Sequence, residues 1–532
     1  MSSVLSTADA PAGGEEESGE VQETAPLRPL TLRPKQEEGL AYYAQYRHGL
    51  VPWDMGTGKT LLAVEHAKQN VKGTRILIVA PVNTHAGWVK TFNRQWPEMP
   101  VTILGSPDKD AEGWKKAAGR LEAPFKGTGK RDGVFIVGWE VMHGYTKTIY
   151  EVMSWCDVAT KKEYSSKEAV GTETFRPPWA ATGVWDLVVA DECHRMQNRK
   201  SASYEVMNTI KAERKLAMSG TWTGNKKEGA FGTLHWLWPK RYPHFWPWVD
   251  KHMETVPDPY TFKRIVGELE PGSIIKGIPC YMRVVADVGE IKVAVHDVEV
   301  DMAPKQAQTY KRFKDEAFAW LDEQPIGTPL PVVQRIRLRQ VALGMPGAVV
   351  VTDDPVAYLD SQGNTRFTQE EYVEVTFRPN CASSKIAALK EVIADLPENE
   401  PLMVYVHSKR FVEPVVHQLG KTAVGWTGDT PLHQRMKILD TFGKPNGPRI
   451  IVAVISAIGE GTDGLQHACA NEVWLSQDDN NLLNEQCKAR LLRSGQLRTV
   501  NRWNIYARGT MDRGVYRKND LNRIEMQEFW SE

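Results

Sequence analysis

"VPWDMGTGKT", residues 51–60, is the stretch whose reading decides the fold. It is a glycine-rich turn that ends in Lys-Thr and runs into "LLAVEHAKQ", a helical pattern. Glycine has no Cβ, so Gly56 and Gly58 permit positive φ and close backbone approach to a ligand. The amides around Thr57 would then point into phosphates at a helix N-terminus. Lys59 would reach the β and γ phosphates, and the Thr60 hydroxyl would reach magnesium. The full spacing G-x-x-x-x-G-K-T is not met, because Trp53 stands at its first glycine. A glycine-rich turn with an incidental Lys-Thr is the competing reading, so the rest of the chain must supply a second half-site.

"LVVADECH", residues 187–194, supplies it. An apolar strand ending in Asp-Glu puts two carboxylates at the C-terminal edge of a sheet, where ligands of open α/β folds bind. Asp191 is the candidate magnesium ligand, directly or through water. Glu192 is the candidate that orients and deprotonates the attacking water. A lone Asp-Glu at a strand end is more often solvated surface, but this pair follows a phosphate loop by a domain-sized interval. Cys193 and His194 read as coupling or packing residues, since no further metal ligands are spaced nearby.

At 532 residues the chain exceeds what one core serves, so two or three domains are expected. Its 41% hydrophobic and 25% charged content is ordinary for a globular protein. No apolar run approaches the roughly 18 residues of a membrane helix, and the N-terminus does not read as a secretory signal. The six cysteines form no C-x-x-C pair, so neither a zinc site nor a disulfide framework is indicated, and a reducing, cytoplasmic setting fits. Lys plus Arg and Asp plus Glu balance at 66 each, which argues mildly against a strong non-specific nucleic-acid binder without excluding one.

Residues 1–26 read as a disordered acidic tail. From about 27 to 240, "RILIVAP", "GVFIVGW" and "WDLVVADE" read as parallel strands separated by helices. The polar segment 156–179 reads as an inserted hairpin or loop. Residues 241–378 form a helical or irregular link, helical for example in "APKQAQTYKRFKDEAFAWLDE". A second α/β domain is expected over 379–532, with strands in "PLMVYVHS", "RIIVAVIS" and "NEVWLSQ".

The ordered motif set resembles a superfamily 2 helicase, related to the DEAD/DEAH-box enzymes, and within it the Swi/Snf-like translocases. "LRPKQEEGLAYY" is similar to the family's opening, whose glutamine reads adenine, here Gln36. "DMGTGKT", "DECH" and "SGTWTGN" resemble the phosphate loop, the D-E-x-H box and the coupling motif. "SSK" (383–385), "VYVHSKR", "WTGDTPLHQRMKILDTF" and "QCKARLLRSGQ" resemble the second-lobe series, the last closely matching Q-x-x-x-R-x-x-R-x-G-Q. The resemblance runs from about residue 30 to 500. It implies an α/β fold of two tandem RecA-like P-loop domains with parallel sheets, joined by a helical inter-lobe segment. "GEGTDGLQ" departs from the family's A-G-G-x-G-L-N, so Asp463 reads equally as a ribose or magnesium-shell contact and as a turn residue.

Within this frame Arg490 and Arg493, one helical turn apart, would share a face and act as arginine fingers from the second lobe. The candidate nucleic-acid contacts are Pro81, Trp88, His407, Lys409 and Thr427, with Asn83, Trp139 and Gly428 beside them. Groups of this type read backbone rather than bases, although for any one tryptophan of 18 the core is the commoner role. The resemblance implies an ATP- and magnesium-dependent helicase or translocase acting on DNA, probing no particular sequence. It also implies a near-minimal motor of the bacterial or phage type. The alternatives are an RNA helicase, the motor subunit of a restriction or defence complex, and a binding module with a degenerate ATP site.

Overall fold

The computed structural model describes residues 28–104, 132–156, 163–175, 183–224, 226–258, 262–286, 291–328, 330–352, 356–359, 365–368, 371–458 and 464–531. The expected acidic tail and Asp463 lie outside the described residues. The first lobe opens with α1 (Pro34–Ala44), β1 (His48–Val51), α2 (Lys59–Asn70), β2 (Arg75–Ala80), α3 (His85–Gln95) and β3 (Val101–Leu104). It continues through β4 (Gly133–Gly138), β5 (Tyr145–Cys156), β6 (Glu163–Phe175), β7 (Val184–Asp191) and β8 (Lys211–Met218). Six of these strands form one sheet in the order β1-β8-β7-β2-β4-β3, and every pairing is parallel.

The near-continuous apolar runs of this sheet follow from burial on both faces. Along β2, Leu77 and Val79 join one buried cluster, while Ile76 and Ile78 join another on the opposite side. The same alternation recurs in β4, with Phe135 and Val137 against Val134 and Ile136. Each such side chain contributes roughly 1.5–3 kcal/mol of burial free energy.

The expected insertion is an antiparallel hairpin, β5 with β6, which begins at Tyr145, ahead of the position anticipated from composition. After the aromatic helices Ala230–Leu237 and Phe245–His252 come β9 (Met253–Asp258) and β10 (Phe262–Glu268), a second antiparallel pair. Then β11 (Val293–Val300) adds to the second sheet, parallel to a strand near the C-terminus. Composition had assigned this stretch to the inter-lobe link. Its run "VAVHDVEV" alternates half-buried and exposed positions, as an edge strand does, and offers no continuous apolar signal.

The chain then leaves the sheet. The helix Pro304–Asp315 stops short of the helical stretch anticipated from sequence, and β12 (Phe318–Leu321) and β13 (Gln324–Gly327) form a hairpin instead. Asp322 and Glu323 at its tip both take positive φ, as a two-residue hairpin turn requires. The helix Pro331–Leu343 packs on the helix before it around Tyr310, Phe313 and Val341. Next come β14 (Gly347–Thr352), β15 (Val356–Leu359), β16 (Thr365–Thr368) and β17 (Glu371–Thr376), paired as β14 with β17 and β15 with β16.

The second lobe is completed by β18 (Leu402–Val406), β19 (Ala423–Trp426), β20 (Ile450–Val454), β21 (Asn471–Trp474) and β22 (Val500–Ala507). With β11 they give the order β11-β22-β21-β18-β20-β19, again parallel throughout. The fold is therefore α/β with two tandem six-stranded parallel sheets. Among the described residues no helix is long and apolar enough to cross a membrane.

One ion pair fastens the second lobe internally. Lys385, the lysine of "SSK", sits 2.5 Å from Asp512 with side chains 0% and 6% exposed, and its ammonium donates to the Leu475 carbonyl at 2.6 Å. Burial lowers the Lys385 pKa, and the Asp512 charge opposes that shift. Asp512→Ala leaves this ammonium buried without its anion, and about 3–5 kcal/mol of stability should be lost. Denaturant unfolding measures it, and an unchanged midpoint would reject the pair as a determinant of stability.

Candidate active site

Because the first sheet is parallel, β1, β2, β7 and β8 all end on one edge. The loop after β1 carries Gly56 and Gly58 at φ +77° and +82°, and Gly58 caps α2. A Cβ on Gly58 would fall 2.1 Å from Nε2 of Gln36, so a larger residue there would take a strained backbone and push the Gln36 amide off the loop. Gln36 is buried, and its amide donates to the carbonyls of Thr57 and Gly58 at 3.1 and 3.3 Å. It therefore braces the loop from α1 and still borders the cavity in front of it. The loop also holds itself, with the Thr57 hydroxyl donating to the Asp54 carbonyl at 2.6 Å. Trp53, at the missing first glycine, is fully buried and donates its indole N–H to the Met282 carbonyl.

Lys59 donates to the carbonyls of Trp53 and Asp54 at 2.9 and 3.0 Å. Burial pulls its pKa down, while the charges of Glu192, Asp191 and Asp54 push it back up. Asp191 ends β7 and is buried. Its carboxylate accepts from the Trp88 indole at 3.1 Å and from the Glu192 amide at 3.2 Å. Burial raises its pKa, and the neighbouring Glu192 charge raises it further. For Glu192 burial acts in the same upward direction, but the hydrogen bond and charge of His194, with Lys59, outweigh it and hold the pKa low.

Glu192 itself takes left-handed backbone angles, φ 53° and ψ 51°. A non-glycine residue held there stores on the order of 1–3 kcal/mol of strain, a pattern that clusters at functional sites. Its carboxylate accepts from the Ser219 hydroxyl at 2.8 Å and lies 3.2 Å from His194 Nδ1. Ser219 follows β8 and opens "SGTWTGN", so these contacts tie the acidic box to the coupling motif. Sequence reading gave His194 a coupling or packing role and did not single out Ser219. Its position at a strand end directly opposite the box was the available signal.

The second lobe reaches the same place. A cavity of about 780 Å³ is lined by Lys59, Thr60, Asp191 and Glu192 from the first lobe and by Arg490 and Arg493 from the second. Arg493 lies across the phosphate loop, since a Cβ on Gly56 would come 3.0 Å from its Cγ and Nε. The two arginines do not share a helix face. The helix Asn481–Leu491 ends at Leu492, whose ψ of 75° is not helical, so Arg493 projects from the following turn. Leu30, Arg33, Gln466 and His467 also line the cavity and were not foreseen, and Asn83, expected on the nucleic-acid side, lines it as well.

The candidate nucleic-acid contacts separate. Trp88 is a correction: it is 1% exposed and spends its only donor on Asp191, so it supports the acidic box. Trp139 is likewise buried, donating to the Asp191 carbonyl at 2.8 Å. Pro81 is buried, and its carbonyl accepts from the Thr84 hydroxyl. The His407 ring turns inward to Ser476 at 2.7 Å, and burial pushes its pKa well down. Lys409 is exposed and paired with Asp429, and Thr427 is half-buried with its N–H held by Thr430. Asn83 instead accepts from Arg435 at 2.9 Å, a bond from the first lobe to the second.

A family model of the SNF2-related domain matches residues 35–340. The chain belongs to the SNF2-related family. This SNF2-related chain is 20% identical over 516 residues to chromodomain-helicase-DNA-binding protein 7 of Homo sapiens, covering 92% of this chain and 15% of that protein. It is 22% identical over 519 residues to the SWI/SNF-related matrix-associated actin-dependent regulator of chromatin subfamily A member 1 of Mus musculus, covering 92% of this chain and 42% of that protein. It thus spans less than half the length of either relative. Among solved structures, the Sulfolobus solfataricus SWI2/SNF2 ATPase core in complex with dsDNA is 15% identical with a TM-score of 0.36, covering 96% of each chain.

Proposed function

We propose that the chain is an ATP-hydrolysing motor that moves along DNA. The observation that carries this reading is the shared cavity, in which carboxylates and a lysine from one lobe face two arginines from the other. A site split across two lobes changes shape when its ligand changes charge, which is how hydrolysis becomes lobe movement.

The residues fit a nucleotide triphosphate with its metal. Positive-φ glycines at the start of α2 present backbone amides to phosphate, and Gln36 lines the cavity where a base would extend. The buried Asp191 carboxylate, with Thr60 nearby in the lining, is a donor set that suits a hard cation. Bound there, magnesium would neutralise charge on the phosphate oxygens. Glu192 then orients the attacking water, and Ser219 and His194 fix its carboxylate. Lys59 and Arg493 line this cavity from opposite lobes and would contact the phosphates, and Arg490 would add positive charge.

DNA as the track is supported by the DNA-binding helicase among the relatives, aligned over most of this chain. The test is ATP hydrolysis by the purified chain, alone and with duplex DNA, single-stranded DNA or RNA. Stimulation by duplex DNA is expected. Stimulation mainly by single strands would indicate strand separation, and by RNA an RNA helicase. Hydrolysis unaffected by any nucleic acid would reject the motor.

A further inference from the structure

We infer that Arg283 is a positioning residue for the phosphate loop. The inference rests on the proposed ATPase reading and names a residue outside every motif used so far.

Residues 280–286 run along the free edge of β1. The Leu50 amide donates to the Cys280 carbonyl at 3.0 Å, and the Asp54 amide donates to the Val284 carbonyl at 3.0 Å. The Tyr43 hydroxyl accepts from the Met282 amide at 3.0 Å. Cys280 and Val284 are buried in the first-lobe core. Arg283 sits at the centre of this segment. One guanidinium nitrogen donates to the Pro52 carbonyl and the other lies 2.5 Å from the Asp54 carboxylate. The second oxygen of that carboxylate accepts from the Ala286 amide at 3.1 Å.

The consequence concerns Lys59. Its ammonium rests on the carbonyls of Trp53 and Asp54. Arg283 holds the same short piece of chain through the Pro52 carbonyl and the Asp54 carboxylate. A planar guanidinium holds the carbonyl and the carboxylate on two separate nitrogens in a fixed fork, a geometry that the single ammonium nitrogen of a lysine does not reproduce.

The experiment compares wild type, Arg283→Ala, Arg283→Lys, Asp54→Asn and Arg283→Ala/Asp54→Ala by steady-state ATP hydrolysis, titration with a fluorescent ADP analogue, and thermal unfolding. Misplacing a catalytic group by a fraction of an ångström to an ångström costs about 10- to 100-fold, and a loss of that size in kcat/KM is expected for Arg283→Ala, with weaker nucleotide binding. Arg283→Lys should recover part of it, and the double variant should lose less than the sum of its two changes, because they share the Arg283–Asp54 ion pair. A merely structural residue would lower Tm and leave kcat and KM within about twofold below it, and that result overturns the inference. Should Arg283→Ala fail to fold, Asp54→Asn keeps the size of the side chain and removes its charge, and wild-type kinetics there overturn it equally. A wild type that neither binds nor hydrolyses ATP would sink the ATPase reading and this inference with it. A competent wild type beside unchanged variants sinks the inference alone.

Discussion

Glu192→Gln should bind nucleotide as the wild type does and all but stop hydrolysing it. Glutamine keeps the size of the side chain and can still accept from the Ser219 hydroxyl that now lies 2.8 Å from Oε2. The left-handed backbone at this position is set by the end of β7 and the turn after it, and the substitution leaves it in place. What disappears is the negative charge. His194 and Lys59 hold that carboxylate ionised in spite of its burial. Kept ionised, the Glu192 carboxylate can accept a hydrogen bond from the attacking water and orient it. Removing an acid–base group of this kind costs about 10²–10⁴ in rate. Single-turnover hydrolysis and a nucleotide titration, run on one preparation, separate the two effects. Turnover within about twofold of wild type would remove Glu192 from the mechanism, and a large loss of affinity would make it a binding residue instead.

The parts of this site legible in the sequence are those whose chemistry fixes a local pattern. A phosphate loop needs glycines beside a lysine, and a buried parallel strand needs an unbroken apolar run up to Asp191. Both patterns are visible within ten residues, and the structure brings Lys59, Asp191 and Glu192 to one cavity. The edge strand β11 was not legible because half of its residues face outward and its partner β22 lies far along the chain. Trp88 was misread for a related reason. An indole near a proposed track can stack on a base or hydrogen-bond inward, and only the fold shows its N–H committed to Asp191. Arg283 carries no local signal either, since its two acceptors stand more than two hundred residues away in sequence.

Arg493→Ala is the second large effect, and it tests the split site itself. Arg493 lies in the turn beyond the helix Asn481–Leu491 and crosses Gly56 of the other lobe. It is the better probe of the two arginines. Arg490 is 7% exposed, so its removal would disturb second-lobe packing as well as the site. A guanidinium that meets phosphoryl oxygens only as charge develops adds little to ground-state binding and much to the transition state. Fingers of this kind are worth about 10³–10⁵ in kcat, so Arg493→Ala should hydrolyse at least about 10³-fold more slowly with nucleotide affinity changed by no more than a few-fold. Arg493→Lys should fall between, since it keeps the charge and loses the planar fork. Lobe movement gives the result its meaning. If the finger acts only in the closed arrangement, duplex DNA should fail to stimulate the alanine variant, because the rate it would accelerate depends on the missing group. An alanine variant that hydrolyses and responds to DNA like the wild type would show that the second lobe supplies no charge to the reaction, leaving the first lobe to hydrolyse ATP on its own.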